Sequence, residues 1–168
     1  MLGGSRSGKS TYAEGLLAGE VHVDYVATGV PDRSDREWTE RVAAHRARRP
    51  KTWTTVETGD VASVLVADGP AVLVDSVTTW AARTMDDCHA WTGRPPARLA
   101  ERFDELVEAW RLTDRRAVLV SDEVGLGVVP ETPAGRKFRD ALGVLNQRLA
   151  AAADEVVLIV AGLPLRLR

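Results

Sequence analysis

The stretch "MLGGSRSGKS", Met1 to Ser10, decides the fold. Gly3, four further residues and then Gly8-Lys9-Ser10 form the pattern of a phosphate-binding loop. In such a loop, backbone N–H groups surround phosphate oxygens, the lysine reaches the terminal phosphates and the serine hydroxyl joins a Mg²⁺ shell. A helix-compatible segment, "STYAEGLLA", follows at once, but only Met1 and Leu2 precede the loop. We therefore predict a truncated first strand; an accidental glycine turn is the alternative interpretation.

The rest of the chain alternates short apolar segments with longer amphipathic ones, which predicts an α/β fold, a parallel sheet flanked by helices. The predicted strands are residues 21–28, 71–77, 117–121 and 155–161, with a weaker candidate at 53–57. The predicted helices are residues 10–18, 35–49, 61–67, 98–112 and 135–153. Residues 89–98 carry the Gly and Pro of a loop, which we expect to form a lid or a contact between subunits.

Composition limits the class of protein. A chain of 168 residues is expected to form one domain. A net charge of −2 argues against a bulk electrostatic partner such as nucleic acid or an anionic membrane. The single cysteine, Cys88, excludes an internal disulfide and suits a reducing cytoplasm. No apolar run approaches the roughly 20 residues of a membrane span.

Carboxylates follow two of the predicted strands. Asp75 comes after four apolar residues in "AVLVDSV", where the tip of a parallel strand beside a phosphate-binding loop is suited to organise Mg²⁺. Taken alone, an aspartate at a strand end is more often a turn or helix cap. Asp122 and Glu123 end the next apolar segment and have three open roles: binding a metal, activating a hydroxyl or capping a turn.

His45 lies in "REWTERVAAHRARRP", residues 36–50. Trp38, Val42 and His45 recur at helical spacing, and arginines such as Arg41 and Arg48 fall within a turn of the histidine. A neutral imidazole can attack phosphorus as a nucleophile, while guanidinium groups neutralise the phosphates. The alternative is a solvated arginine-rich helix face that carries a histidine without a role.

Together, the segments "GGSRSGKS", "YVATG", "RVAAHRARRPKTW", "VLVDSVTTW", "SDEVGLGVVPE" and "VAGLPL" resemble the bifunctional adenosylcobinamide kinase / adenosylcobinamide-phosphate guanylyltransferase family of cobalamin biosynthesis. The resemblance covers essentially the whole chain. It implies a P-loop NTPase-like (RecA-like) fold in a single domain, residues 1–168. It also implies two reactions: phosphorylation of adenosylcobinamide by ATP or GTP, and transfer of GMP from GTP to adenosylcobinamide phosphate. Mg²⁺ and a homo-oligomer, for which a trimer is one arrangement, are further implications.

The resemblance also assigns site residues by motif position. It implies that His45 carries the GMP. The chemistry of the residues agrees with this site: Ser10 and Asp75 are suited to organise Mg²⁺, and Glu57, a carboxylate at a strand end, is suited to accept the N–H edge of guanine or the ribose hydroxyls. The implied nucleotide-binding residues are Gly3, Gly4, Ser5, Arg6, Ser7, Gly8, Lys9, Ser10, Gly29, Val30, Pro31, Arg46, Ala47, Arg48, Arg49, Glu57 and Asp75.

Three positions depart from the family pattern. The strand before the loop is short, Ser76 stands where Cys is common, and Asp122 stands where Asn is common. From the short strand we predict a frayed or mobile loop and a weakened nucleotide affinity. Two other functions remain open on the sequence: a catalytically impaired nucleotide-binding remnant or partner subunit, and a P-loop kinase of another small molecule.

Overall fold

The computed structural model describes residues 1–29, Glu40, Ala43 and residues 46–168. In these residues the strands are β1 (Leu2–Gly3), β2 (Val23–Ala27), β3 (Thr54–Glu57), β4 (Ala71–Asp75), β5 (Ala117–Asp122), β6 (Val157–Val160) and β7 (Leu163–Arg166). The helices are α1 (Lys9–Leu16), α2 (Val61–Val66), α3 (Val77–Asp87), α4 (Ala97–Leu112) and α5 (Pro133–Ala152). Most of the helix predicted at 35–49 lies outside the described residues, while 46–48 are helical.

The strands of the described residues form one seven-stranded sheet in the order β3-β2-β4-β5-β1-β6-β7. Six of them run parallel, and β7 alone runs antiparallel, against β6. The predicted α/β fold with a largely parallel, P-loop NTPase-like sheet is confirmed. Because parallel strands end at one edge, the loop after β1 and the tips of β2 to β5 meet there.

The first strand is short, as predicted, with only Leu2 and Gly3, and it is nevertheless paired on both sides. The Met1 ammonium donates to the Leu119 carbonyl at 2.9 Å, and the Ser121 N–H donates to the Met1 carbonyl at 2.9 Å. On the other side, Leu2 is in register with Leu158 of β6. The strand thus anchors the loop, contrary to the frayed loop that its length predicts. The predicted loss of nucleotide affinity remains a prediction.

Helix α3 replaces the end of a predicted strand. The strand that was expected to reach Val77 stops at Asp75, because Ser76 caps a helix: its Oγ accepts the Thr79 N–H at 3.3 Å, and the Thr79 hydroxyl interacts in return with the Ser76 N–H. This capping box turns the chain away from the sheet directly after Asp75. Asp75 is thereby left at the tip of β4, at the edge of the sheet that carries the loop after β1.

Strand β7 follows a tight turn that the sequence patterns did not reveal. Ala161 and Gly162 have φ values of 52° and 79°, the left-handed pair typical of a two-residue hairpin. The Gly162 N–H donates to the Ser7 carbonyl at 2.8 Å, so this hairpin turn also supports the loop after β1. Sheet pairing and turn contact together hold the loop in place.

Both faces of the sheet are covered. Val72 and Val74 of β4 pack with Trp80 and Phe103 on one face, and Leu73 packs in a second cluster under α1 on the other. The run of buried residues along β4 is what a central parallel strand requires. In the part of the chain that is described, no helix is both long and apolar enough to cross a membrane.

Candidate active site at the carboxyl edge of the sheet

A cavity of about 730 Å³ opens where the loop after β1 meets the tips of β2 to β5. It brings together most of the predicted site residues that the structure describes: Ser5, Arg6, Ser7, Gly8, Lys9, Ser10, Gly29, Arg46, Arg48, Arg49, Glu57 and Asp75. Gly3, Gly4 and Ala47 are described but do not line it. His45, Val30 and Pro31 lie outside the described residues.

Two glycines of the loop, Gly8 and Gly3, occupy positions that disfavour a larger residue. Gly8 has a φ of 94°, a left-handed conformation that favours glycine, and it precedes the first turn of α1. Gly8 offers no side chain to cap the helix, and this helix start lines the cavity, where an anion can accept hydrogen bonds from its first N–H groups. A Cβ on Gly3 would lie 2.5 Å from Ser7 Oγ and 2.9 Å from the Ile159 carbonyl oxygen. Larger residues at position 3 would therefore force the loop away from β6.

Lys9 is held at the loop by two contacts. Its Nζ lies 2.5 Å from Asp122 Oδ1 and donates to the Gly4 carbonyl at 3.2 Å. Asp122 is fixed through its backbone, because its N–H donates to Thr78 Oγ1 at 2.7 Å and its carbonyl accepts from the Asn146 amide at 3.0 Å. The end of β5 thus presents a carboxylate to the loop lysine. From the sequence, Asp122 is compatible with binding a metal, activating a hydroxyl or capping a turn, and nothing in the sequence indicates this ion pair.

Asp75 is oriented by a residue that sequence reasoning missed. The Tyr25 hydroxyl donates to Asp75 Oδ2 at 2.8 Å, from the adjacent strand β2. Burial, with the neighbouring Asp75 carboxylate second, raises the pKa of Tyr25 well above its usual range. In this arrangement the phenol is the donor and the carboxylate the acceptor. The "DYVATG" segment offered only one signal, an aromatic hydroxyl next to the apolar residues Val26 and Ala27 of β2.

Three arginines after His45 line the cavity. Arg48 forms an ion pair with Glu14 on α1, in which Nε lies 3.3 Å from Oε2. The Arg49 guanidinium carbon lies 3.5 Å from the centre of the Tyr25 ring and its Nη1 lies 3.4 Å from Thr55 Oγ1. Arg46 is exposed. These cations suit the cavity to a ligand with several negative charges.

The residues present fit a magnesium–nucleotide complex. Ser10 and Asp75 line the same cavity with oxygen donors, the kind that Mg²⁺ prefers. Among the described residues no cluster of three or more His, Cys, Asp or Glu side chains is arranged to hold a metal ion. Mg²⁺ usually takes one or two protein carboxylates and completes its shell with phosphates and water, so the Ser10 hydroxyl and the Asp75 carboxylate are donors of the right kind.

The sequence profile described as cobinamide kinase / cobinamide phosphate guanyltransferase (CobU) matches residues 1–167. The chain belongs to this family. The bifunctional adenosylcobalamin biosynthesis proteins CobU of Salmonella typhimurium and of Escherichia coli are each 36% identical over 179 aligned residues, which cover 100% of this chain and 98% of theirs. CobP of Pseudomonas aeruginosa, described in the same words, is 39% identical over 175 residues, with 95% of its length covered. The resemblance carried by the sequence motifs is confirmed.

Proposed function

We propose that this chain phosphorylates adenosylcobinamide with a nucleoside triphosphate and then transfers GMP from GTP to adenosylcobinamide phosphate, giving adenosylcobinamide-GDP. The observation that carries the proposal is one cavity shared by Lys9, Ser10, Asp75 and the arginines that follow His45. Membership of the cobinamide kinase / cobinamide phosphate guanyltransferase family supports the choice of substrates. One domain, residues 1–168, is proposed to carry both reactions.

In the kinase step, the hydroxyl of the aminopropanol arm attacks the γ-phosphorus and the nucleoside diphosphate leaves. The N–H groups of the loop from Gly3 to Ser10 and the Lys9 ammonium bind the phosphates. Ser10 and Asp75 would hold Mg²⁺, which would neutralise the charge that develops on the transferred group. No protein group forms a covalent bond in this step, because the nucleophile belongs to the substrate.

In the guanylyl step, we propose that an imidazole nitrogen of His45 attacks the α-phosphorus of GTP and that pyrophosphate leaves. The resulting P–N bond is labile, so the phosphate of adenosylcobinamide phosphate can then displace the histidine and accept the GMP. Arg46, Arg48 and Arg49 bind the phosphates. Glu57, exposed at the end of β3 and lining the cavity, binds the guanine N–H edge or the ribose hydroxyls.

We propose that the backbone around Gly29, Val30, Pro31 and Ala47 completes the nucleotide pocket.

A corrinoid is large compared with the concave surface of one subunit, so the substrate is proposed to dock at a boundary between subunits of a homo-oligomer, such as a trimer. The cytoplasm, where nucleoside triphosphates are available and a free cysteine persists, is the proposed location.

Labelling with GTP alone tests the guanylyl step. After incubation with Mg²⁺ and [α-³²P]GTP followed by denaturation, we expect an acid-labile label on the wild-type protein and none on His45→Ala. His89→Ala, at an exposed histidine outside the cavity, is the matched control and should be labelled like the wild type. [γ-³²P]GTP should leave no label on the histidine. Absence of label, or a label that survives His45→Ala, would sink the proposal.

Phosphoryl transfer from [γ-³²P]ATP or GTP tests the kinase step. Adenosylcobinamide should be phosphorylated in preference to a panel of nucleosides and shikimate-like alcohols. Preferential phosphorylation of another alcohol would identify a P-loop kinase of a different small molecule. Nucleotide binding without any transfer would identify a catalytically impaired nucleotide-binding protein.

A further inference from the structure

Tyr25 contacts both halves of the proposed site. It lies on β2, between β3 and β4, with 5% of its surface exposed. Its hydroxyl donates to Asp75 Oδ2 at 2.8 Å, and the guanidinium of Arg49 lies over its ring at 3.5 Å from the centroid. One rigid side chain therefore touches the carboxylate assigned to the metal and an arginine assigned to the phosphates.

The hydroxyl contact restricts Asp75. The terminal torsion of an aspartate is broad, so a carboxylate at a strand tip can present its oxygens in many directions. Donation from a buried phenol fixes the plane of the carboxylate relative to the sheet. A phenol hydroxyl that donates to a carboxylate oxygen limits the directions in which that oxygen can point. Its contribution is orientation.

The ring contact restricts Arg49. A guanidinium held against an aromatic face gains a cation–π interaction, which is stronger where water is excluded. The Thr55 hydroxyl at 3.4 Å from Nη1 gives the guanidinium a second contact on β3. Arg49 follows His45 by four residues in the sequence. Holding Arg49 in place therefore also restricts where the neighbouring Arg46 and Arg48 can lie relative to the cavity.

We propose that Tyr25 is a positioning residue that holds Asp75 through its hydroxyl and Arg49 through its ring, and so keeps the metal-binding and phosphate-binding groups of the cavity in fixed relation. This inference rests on the proposed function, since it takes the roles of Asp75 and Arg49 from it. In this role Tyr25 acts through Asp75 and Arg49 rather than on the reacting atoms.

Tyr25→Phe separates the two contacts, because it removes the hydroxyl and keeps the ring. We expect the Mg²⁺ concentration that half-saturates the enzyme–GTP complex to rise by roughly 3- to 10-fold, the equivalent of one hydrogen bond. Metal-free GTP affinity should stay within about twofold of wild type, since the Arg49 contact remains. Binding of Mn²⁺ to the enzyme–GTP complex, followed by electron paramagnetic resonance, measures the metal affinity without reference to activity.

Tyr25→Leu removes both contacts and should weaken metal-free GTP binding as well, by about threefold or more. The only other tyrosine, Tyr12 on α1, does not line the cavity, so Tyr12→Phe is the matched control and should behave as wild type. Thermal unfolding midpoints of all variants show whether each one is folded at the assay temperature.

The outcomes are distinguishable from failure of the proposed function. If wild-type protein neither binds GTP nor becomes labelled, the proposed function fails. If the wild type does both and Tyr25→Phe has the same metal affinity, the positioning role is wrong while the function stands. Equal losses of metal affinity and metal-free GTP affinity in Tyr25→Phe would also overturn it, because they would indicate a general structural defect.

Discussion

The two edges of the same sheet differ in what they bury. At the carboxyl edge, the tips of β2 to β5 surround a cavity of about 730 Å³ rich in charged and hydroxyl groups. At the amino edge, a cavity of about 250 Å³ lies beside Met1, between β5 and the start of β6, and its walls include Leu119, Leu149 and Val157. One edge has its polar groups placed for a ligand, whereas the other has a partly buried chain terminus, whose ammonium donates to the Leu119 carbonyl beside a cavity lined by apolar residues and by charged ones such as Glu155. We therefore expect changes at the carboxyl edge to alter binding and catalysis, and changes at the amino edge to alter stability.

Asp75→Asn is the strongest test of the carboxyl edge. The amide has the shape of the carboxylate but lacks its charge, so we expect kinase and guanylyl-transfer rates to fall by roughly 100-fold or more. The unfolding midpoint should change little, because Asp75 is only partly buried at a strand tip. Steady-state rates at saturating Mg²⁺ and GTP measure the effect. Asp140→Asn, on the exposed face of α5, is the control. A loss below threefold would exclude Asp75 from the metal site.

The sequence predicted this edge better than the packing around it. Central strands such as β4 are continuous apolar runs, and their ends were predicted to within two residues. Helix α3 was missed because Val77, Thr78 and Thr79 are β-branched and continue a strand pattern, whereas the cap at Ser76 decides the conformation. Strand β7 was missed because "LPLR" is a short edge strand with a proline.

The site shows the same difference between what local sequence patterns predict and what packing determines. Lys9, Ser10 and Asp75 were predicted because each has a fixed place in a local motif. The contacts Tyr25–Asp75 and Lys9–Asp122 were not, because they depend on which strands become neighbours and in what register. Both contacts join residues that are 50 or more positions apart. Motif spacing identifies the chemistry, and strand order determines what holds it.

The pH dependence of stability tests the amino edge. Burial lowers the pKa of the Met1 α-amino group to about 6 from an ordinary value of 8.0, with the Glu155 carboxylate opposing the shift. Between these values the unfolded chain binds a proton that the folded chain does not, so the free energy of unfolding rises with pH. We expect an increase of about 2 kcal/mol between pH 6 and pH 8 and a matching loss as the pH falls. Urea unfolding at several pH values measures it.

An Nα-acetylated chain is the matched control for that measurement. Its amide N–H can still donate to the Leu119 carbonyl, as the Met1 ammonium does at 2.9 Å, but it has no proton to exchange in this range. The rise between pH 6 and pH 8 should therefore be smaller in the acetylated chain by the contribution of the amino group. The same slope in both chains would show that the Met1 amino group does not account for it. Guanylyl labelling at one pH should be equal in the two chains.

Asp122→Asn gives the smallest expected effect and the sharpest contrast, because it should improve binding. Nucleotide phosphates must compete with Asp122 Oδ1, 2.5 Å away, for the Lys9 ammonium. The amide keeps the side-chain shape, and the backbone bonds to Thr78 and Asn146 do not involve the substituted group. We expect the dissociation constant of metal-free GTP to fall by about fivefold, with a steeper dependence on salt for Asp122→Asn, because a carboxylate no longer offsets the Lys9 charge. Isothermal titration at two ionic strengths measures both. Weaker binding by Asp122→Asn would instead mean that the carboxylate holds Lys9 in its binding position. Asp122 at the end of β5 would then support ligand binding, as Asp75 does at the end of β4.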